Sequence, residues 1–224
     1  MNEAFALHRA IDNNNLEIVT WLLGNGVDVN LYKDGITPAI QCITNDRVDI
    51  FKVLILHPKL DINKTDQESK NTVLHFGAYN NSIQCMTLLL GSSQHPLHLD
   101  AKNIQTHTPL MMASFHGYIE IVKLLLAKGA GVMIVDSQGN TALHAAMKMQ
   151  HWKLAAELIK HKANYNFKNL AGLSPYMLAS PEMKQKIDGN VFRMFFFFFH
   201  ISFFRMDFLQ NSFYFEHQIC EKQF

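Results

Sequence analysis

A short pattern returns along the chain at nearly constant spacing. It starts with a small or hydroxyl residue, often followed by Pro, then an apolar residue, often with His next. It reads Ala6-Leu7-His8, Thr37-Pro38-Ala39, Thr72-Val73-Leu74-His75, Thr108-Pro109-Leu110, Thr141-Ala142-Leu143-His144 and Ser174-Pro175-Tyr176. The equivalent positions, Leu7, Ala39, Leu74, Leu110, Leu143 and Tyr176, lie 32, 35, 36, 33 and 33 residues apart. A fixed period near 33 marks an array in which each unit buries its apolar face only against its neighbours.

Each unit follows one plan. Thr or Ser caps a helix, and Pro fits the first turn because its missing N–H has no intrahelical partner there. A short apolar helix follows, such as Leu110 to His116, and Gly117 or a polar residue ends it. The second helix carries the denser stripe, here Ile121, Val122, Leu124, Leu125 and Leu126, whose helical spacing points it at neighbouring units. Gly26 and Gly129 stand at helix stops, where a left-handed backbone favours Gly. An extended piece closes the unit: Val27-Asp28-Val29-Asn30, Leu60-Asp61-Ile62-Asn63, Asn164-Tyr165-Asn166.

These units resemble ankyrin repeats, with their T-P-L-H-x-A opening, I-V-x-x-L-L second helix and V-N ending. The fifth unit, from Asp136 to Ala146, and the fourth, from Gly117 to Leu126, lie nearest that pattern. The resemblance covers residues 1–192 and implies an all-α solenoid of helix-turn-helix units joined by hairpin loops. The second and third units carry long endings, His57-Pro58-Lys59 and Gly91 to Asp100, and irregular tips are expected there. Thr106 stands where the fourth turn should have Gly, which should weaken that turn. The first unit starts at its inner helix and reads as an N-terminal cap, which its polar run Asp12 to Asn15 suits. In the sixth, Pro181 and Gly189 spoil the second helix despite Ile187, Val191 and Phe192, so the unit is read as incomplete.

Residues 193–224 are a different kind of sequence, holding 11 of the 17 Phe, five of them in the run Phe195 to Phe199. The uncharged stretch between Arg193 and Arg205 has 11 residues, against about 20 for a membrane span, so a membrane association is not expected. Phe runs arise when thymine-rich intron sequence is translated, and the segment reads as disordered or aberrant.

Composition narrows function further. Twenty Lys and Arg against 19 Asp and Glu leave no basic stripe for nucleic acid. Cys42, Cys85 and Cys220 are too few and too widely spaced for a disulfide scaffold, and a reducing, cytoplasmic or nuclear compartment follows. Cys42 and Cys85 read as core residues. His8, His75 and His144 share one repeat position, where the resemblance implies a structural ring that bridges backbone segments. His95 and His98 have ligand-like spacing but no Cys or carboxylate cluster joins them. No phosphate-cradling Gly loop and no nucleophile elbow occur, so neither enzyme, cofactor nor metal is expected.

The resemblance implies protein partners bound on a concave face of inner helices and hairpin tips. There the sequence offers Phe76, Tyr79, Met112, Phe115 and Met149, ringed by polar tip residues. Aromatic and Met side chains are enriched at interface centres, and a contiguous exposed set is uncommon on a monomer; tilting of some into inter-unit packing is the alternative. The chain is therefore read as a non-enzymatic interaction scaffold. The rivals are a piece of a larger signalling, channel or ubiquitin-ligase protein, and an adaptor tethered through the Phe-rich segment. The resemblance also implies asparagine hydroxylation at Asn30 and Asn63, against which stands plain hydrogen bonding within their own turns.

Overall fold

The computed structural model describes residues 3–92, 94–187 and 189. Within the compact unit that ends at Ala179, helices alternate between two layers. The inner layer holds α1 (Glu3–Asp12), α3 (Pro38–Thr44), α5 (Val73–Asn80), α7 (Pro109–His116), α9 (Ala142–Lys148) and α11 (Pro175–Leu178). The outer layer holds α2 (Leu16–Gly24), α4 (Val48–Ile55), α6 (Ile83–Gly91), α8 (Ile119–Ala127) and α10 (Trp152–Lys160). Each inner helix packs on the next inner helix, and each outer helix on the next outer one. No strand forms among the described residues; two isolated bridges, Lys33 with Ile36 and Thr65 with Thr72, pin hairpin loops. Residues 181–187, in the second unit, are helical, with the Ser180 hydroxyl accepting from Met183 N–H at 3.2 Å. The Phe-rich segment 193–224 and the proposed limit at residue 192 lie outside the described residues.

The turn between inner and outer helix has one solution in every complete unit. Asn14, Asp46, Asn81, Gly117 and Gln150 all take positive φ, between 51 and 80°. Polar residues and Gly tolerate this left-handed region best. Gly117 has a second reason: a Cβ there would stand 2.7 Å from the His151 ring, whose Nε2 bonds the Phe115 carbonyl at 3.1 Å. Thr106 also takes positive φ, 61°, where Gly139 has 78° and Gly172 has 75°. That turn nonetheless closes through Thr106 N–H to the Asn103 carbonyl at 2.8 Å. The Thr106 hydroxyl then accepts from the next tip, Ser137 N–H, at 2.6 Å.

The core lies between and within the layers. Leu7, Leu74, Leu110 and Leu143 are buried, as are Ile121, Val122, Leu125 and Leu126 of the outer stripe, with Leu124 half-buried. The long ending of the third unit has a structural use: the His95 ring reaches back to the Ile55 carbonyl at the end of α4, 3.0 Å away. In the polar run of the first unit, Asp12, Asn13 and Asn14 are exposed and Asn15 is half-buried. Asn15 caps α2 by accepting from Ile18 N–H at 2.9 Å. The Asp12 carbonyl accepts from Arg47 at 3.0 Å, and its carboxylate accepts from Gln41 and Asn45 of the second unit.

Candidate protein-binding surface

The face that could receive a partner is built on hydrogen bonds that cross from unit to unit. Each hairpin tip donates to the one before it: Gln67 to the Gly35 carbonyl at 2.9 Å, Ile104 to Ser69 at 2.9 Å, Leu170 to Gln138 at 3.0 Å. Beneath them, Asp66, Asn103, Asp136 and Asn169 recur at the hairpin base, each side chain accepting from backbone N–H groups of its own loop. Asn103 then donates to Asn71 at 2.9 Å, and Asn169 to Asn140 at 2.7 Å. This polar ladder fixes the tips before any partner arrives.

His75 and His144 complete the inner edge. In each, Nδ1 accepts from the N–H and hydroxyl of the capping Thr, at 3.1 and 2.9 Å for Thr72 and 3.0 and 2.9 Å for Thr141. Nε2 donates to the next unit, at 3.0 Å to the His107 carbonyl and 3.2 Å to that of Leu173. Burial first, against weaker opposing hydrogen bonds, lowers the pKa of both rings. Both are thus held neutral with the proton on Nε2. His8 differs because Phe5 stands where later units have Thr: its ring pairs with the Gln41 side chain and with the Leu31 carbonyl, 3.0 Å away.

On this frame the inner helices present an apolar set. Phe76 and Met112 are half-buried; Tyr79, Phe115 and Met149 are exposed. Phe76, Tyr79 and Met112 line a groove of about 240 Å³ with Ser69, Asn71 and Gln105. Tyr79, Met112 and Phe115 line a second, of about 640 Å³, that runs past Ala145 and Lys148 to Leu173 and Leu178. The grooves share Tyr79, Gln105 and Met112, so four of the five anticipated side chains adjoin. Met149 lines neither; it caps α9 beyond the last helical turn.

Sequence reasoning left His116 out of this set. Its ring meets Tyr79 edge-on at 5.1 Å and Phe115 at 5.3 Å, and stacks on Tyr118 at 5.5 Å. The imidazole therefore ties the exposed rings of α5 and α7 into one cluster. The available signal was its place one residue after Phe115, matching Asn80 after Tyr79. Gln41, at the repeat position of Phe76 and Met112, is buried, donating to the His8 carbonyl at 3.2 Å.

Asn30 and Asn63 are half-buried and reach across units. Asn30 donates to the Lys59 carbonyl at 2.7 Å and accepts from Asp61 N–H at 2.8 Å. Asn63 does the same with Pro96 at 2.6 Å and His98 at 3.0 Å. Their own turns are closed instead by Asp28 and Asp61.

The two thiols among the described residues offer no nucleophile: Cys42 and Cys85 are fully buried, burial pushing Cys42 well above the usual thiol range and Cys85 up to about 12. Among the described residues no group of three His, Cys, Asp or Glu could hold a metal ion. No helix among them is long and apolar enough to cross a membrane.

A family profile for ankyrin repeats, in three copies, matches residues 7–100 and 74–169. The chain belongs to the ankyrin-repeat family. A crystal structure of the ankyrin repeat protein EF0377 superposes with a TM-score of 0.74, covering 84% of this chain and 96% of that one at 22% identity; it shows the fold alone. Among curated proteins, the chain is 36% identical over 118 residues to an Arabidopsis thaliana protein described as the E3 ubiquitin-protein ligase XBAT31. It is 36% identical over 152 residues to the glycerophosphocholine phosphodiesterase gde1 of Schizosaccharomyces pombe, and 33% over 144 residues to inversin of Mus musculus. These alignments take in 52, 66 and 63% of this chain but 25, 13 and 13% of the relatives. The ankyrin array is a protein–protein interaction domain.

Proposed function

We propose that the chain is a non-enzymatic scaffold that binds a protein partner on the face of its inner helices, centred on Tyr79, Met112 and Phe115. Phe76 extends the site towards the third hairpin tip, and Met149 serves at most its margin. The observation that carries this reading is the pair of adjoining grooves lined by these side chains on neighbouring helices. Aromatic and Met anchors in a concave, largely apolar site surrounded by polar groups are what interface hot spots use. The tip ladder and the His75 and His144 bridges support a preorganised face, which lowers the ordering cost of binding. The buried, unpaired thiols of Cys42 and Cys85 support a reducing compartment. Affinity capture with the full chain, compared with a Tyr79→Ala/Phe115→Ala double variant, tests the site. A partner retained by the first and lost by the second is the expected result; equal capture by both overturns the placement.

A second reading, recruitment of substrates to a larger protein, draws on the likeness to the described ubiquitin ligase, of which the alignment covers 25%. A full-length transcript that joins this array to a catalytic domain would favour it. We also propose Asn30 and Asn63 as hydroxylation sites. Both amides are held by the following unit, so modification requires that stretch to open. Mass spectrometry of the natural protein should find one added oxygen on peptides carrying Asn30 or Asn63, and unmodified peptides throughout would remove the proposal.

A further inference from the structure

Formal charge is divided unevenly along the array. Residues 1–100 hold 7 Lys and Arg against 11 Asp and Glu, whereas residues 101–179 hold 8 Lys against 3 Asp and Glu. The near balance of the whole chain therefore hides a basic half, and most of the larger groove lies in it. That groove is lined from α5, α7, α9 and α11 and from the hairpin loops beside them. The acidic groups of this half are already engaged. Glu120 pairs with Lys123 at 2.9 Å, and Glu157 with Lys160 at 3.5 Å and His161 at 3.4 Å. Asp136, the one carboxylate in the lining among the described residues, turns onto its own loop. It accepts from Gln138 N–H at 2.9 Å and Asn140 N–H at 2.8 Å, and faces His107 at 3.9 Å. Lys148, at the end of α9, lines the same groove, is exposed, and has no carboxylate partner among the described residues. The groove thus presents one uncompensated cation in a largely apolar site.

We propose that the segment received by this groove is acidic: a stretch of a partner protein in which large apolar side chains are interspersed with Asp or Glu, one carboxylate meeting Lys148. Its basis is the inner-helix face as the binding face; what is added is the sign of the partner's charge. Apolar side chains of the segment pack against Tyr79, Met112 and Phe115, while the basic half draws an acidic chain in before contact. A basic segment would meet Lys148 with like charge and find no open carboxylate to compensate it. Nucleic acid is a poorer occupant, because a phosphate backbone is held by many cations and seven of the eight Lys lie outside the groove. An exposed ion pair is worth little alone, so Lys148 selects among apolar segments and the aromatic and Met side chains hold them.

Random peptides displayed on phage are selected on the immobilised full chain. About twelve residues suffice, since at about 3.3 Å per extended residue they cross four inner helices spaced about 10 Å apart. The same selection on the Tyr79→Ala/Phe115→Ala variant removes peptides that bind elsewhere. The groove-dependent peptides should be apolar and net acidic, and selection on Lys148→Glu should lose the acidic excess. A leading peptide, synthesised and titrated by fluorescence anisotropy, should bind Lys148→Gln about threefold and Lys148→Glu about tenfold more weakly, and should weaken as salt rises. Lys148→Gln guards against misfolding of the charge reversal. Groove-dependent peptides without an acidic excess, or an acidic peptide that binds both Lys148 variants as tightly as the natural chain, would overturn the acidic partner and leave the binding face standing. Peptides that bind the double variant equally, or no selected peptide at all, would overturn the face and the acidic partner with it.

Discussion

Replacing Leu125 with Ala tests the packing account, because its neighbour supplies an internal control. Leu125 is fully buried in α8, which packs between α6 and α10, whereas Leu124 is half-buried on the same turn. The substitution removes three carbons, worth about 0.8 kcal/mol each in transfer, and leaves a cavity whose lining relaxes only in part. The sum is about 3 kcal/mol, inside the range of about 2–5 kcal/mol for buried Leu to Ala. For a folded array of this size that lowers the melting midpoint by about 6–12 °C. Leu124→Ala should cost about 1 kcal/mol, because part of its side chain already meets water. Circular-dichroism melts and urea titrations of both variants give the comparison. Because units are coupled to their neighbours, hydrogen exchange should also quicken in α6 and α10 of the Leu125 variant. If Leu124→Ala costs as much as Leu125→Ala, the helix is rotated relative to this account and the outer layer is misassigned.

Two other predictions follow from single side chains. Gly77→Ala would ordinarily stabilise a helix by up to about 1 kcal/mol. Here the new Cβ meets Met86 Sδ, with Met86 Cγ at 2.7 Å and Ile43 Cδ1 at 2.8 Å, all in the core. Overpacking at about 1–3 kcal/mol outweighs the helix gain, so the urea midpoint should fall; a rise would show that this core yields freely. The neutral His75 and His144 rings give a pH dependence of definite sign. Their folded pKa values lie below the ordinary 6.5. As pH falls through that value the unfolded chain takes up protons first, so the histidine contribution is complete above it and is lost on further acidification. Urea midpoints should be level above about pH 7 and decline below about pH 6.5, with both ring resonances still neutral where free imidazole is half-protonated. A midpoint that climbs on acidification, or rings that titrate as free imidazole, would contradict the assignment.

Much of this was legible because the period ties each residue to equivalents elsewhere. The family resemblance implied a bridging role for the position that His75 and His144 share, and the outer stripe pointed to the core of α8. What stayed hidden depends on contacts that cross units. Gln41 shares the repeat position of Phe76 and Met112, yet Phe5 replaces the capping Thr in the first unit, and Gln41 turns inward to the His8 ring that has lost that partner. Asn30 and Asn63 look like turn residues, but their bonds run to the next unit, where no local pattern points. The apolar quartet was legible from helical spacing across α5 and α7. Its continuation to Leu173 and Leu178 was not, because these residues come from the sixth unit, where α11 is a single short turn with too little periodic pattern to define a face. Met149 failed to join for a local reason: the helix ends at Lys148, and the next residue no longer follows the helical face.

The central claim is that the inner-helix face receives the partner, and amide hydrogen exchange with and without a captured partner tests it most directly. The account predicts slowed exchange in α5, α7 and α9 and at the hairpin tips 66–71, 103–107 and 136–140, with α4, α6 and α8 unchanged. Protection confined to α4, α6 and α8, with the inner helices exchanging as they do in the free chain, would contradict it.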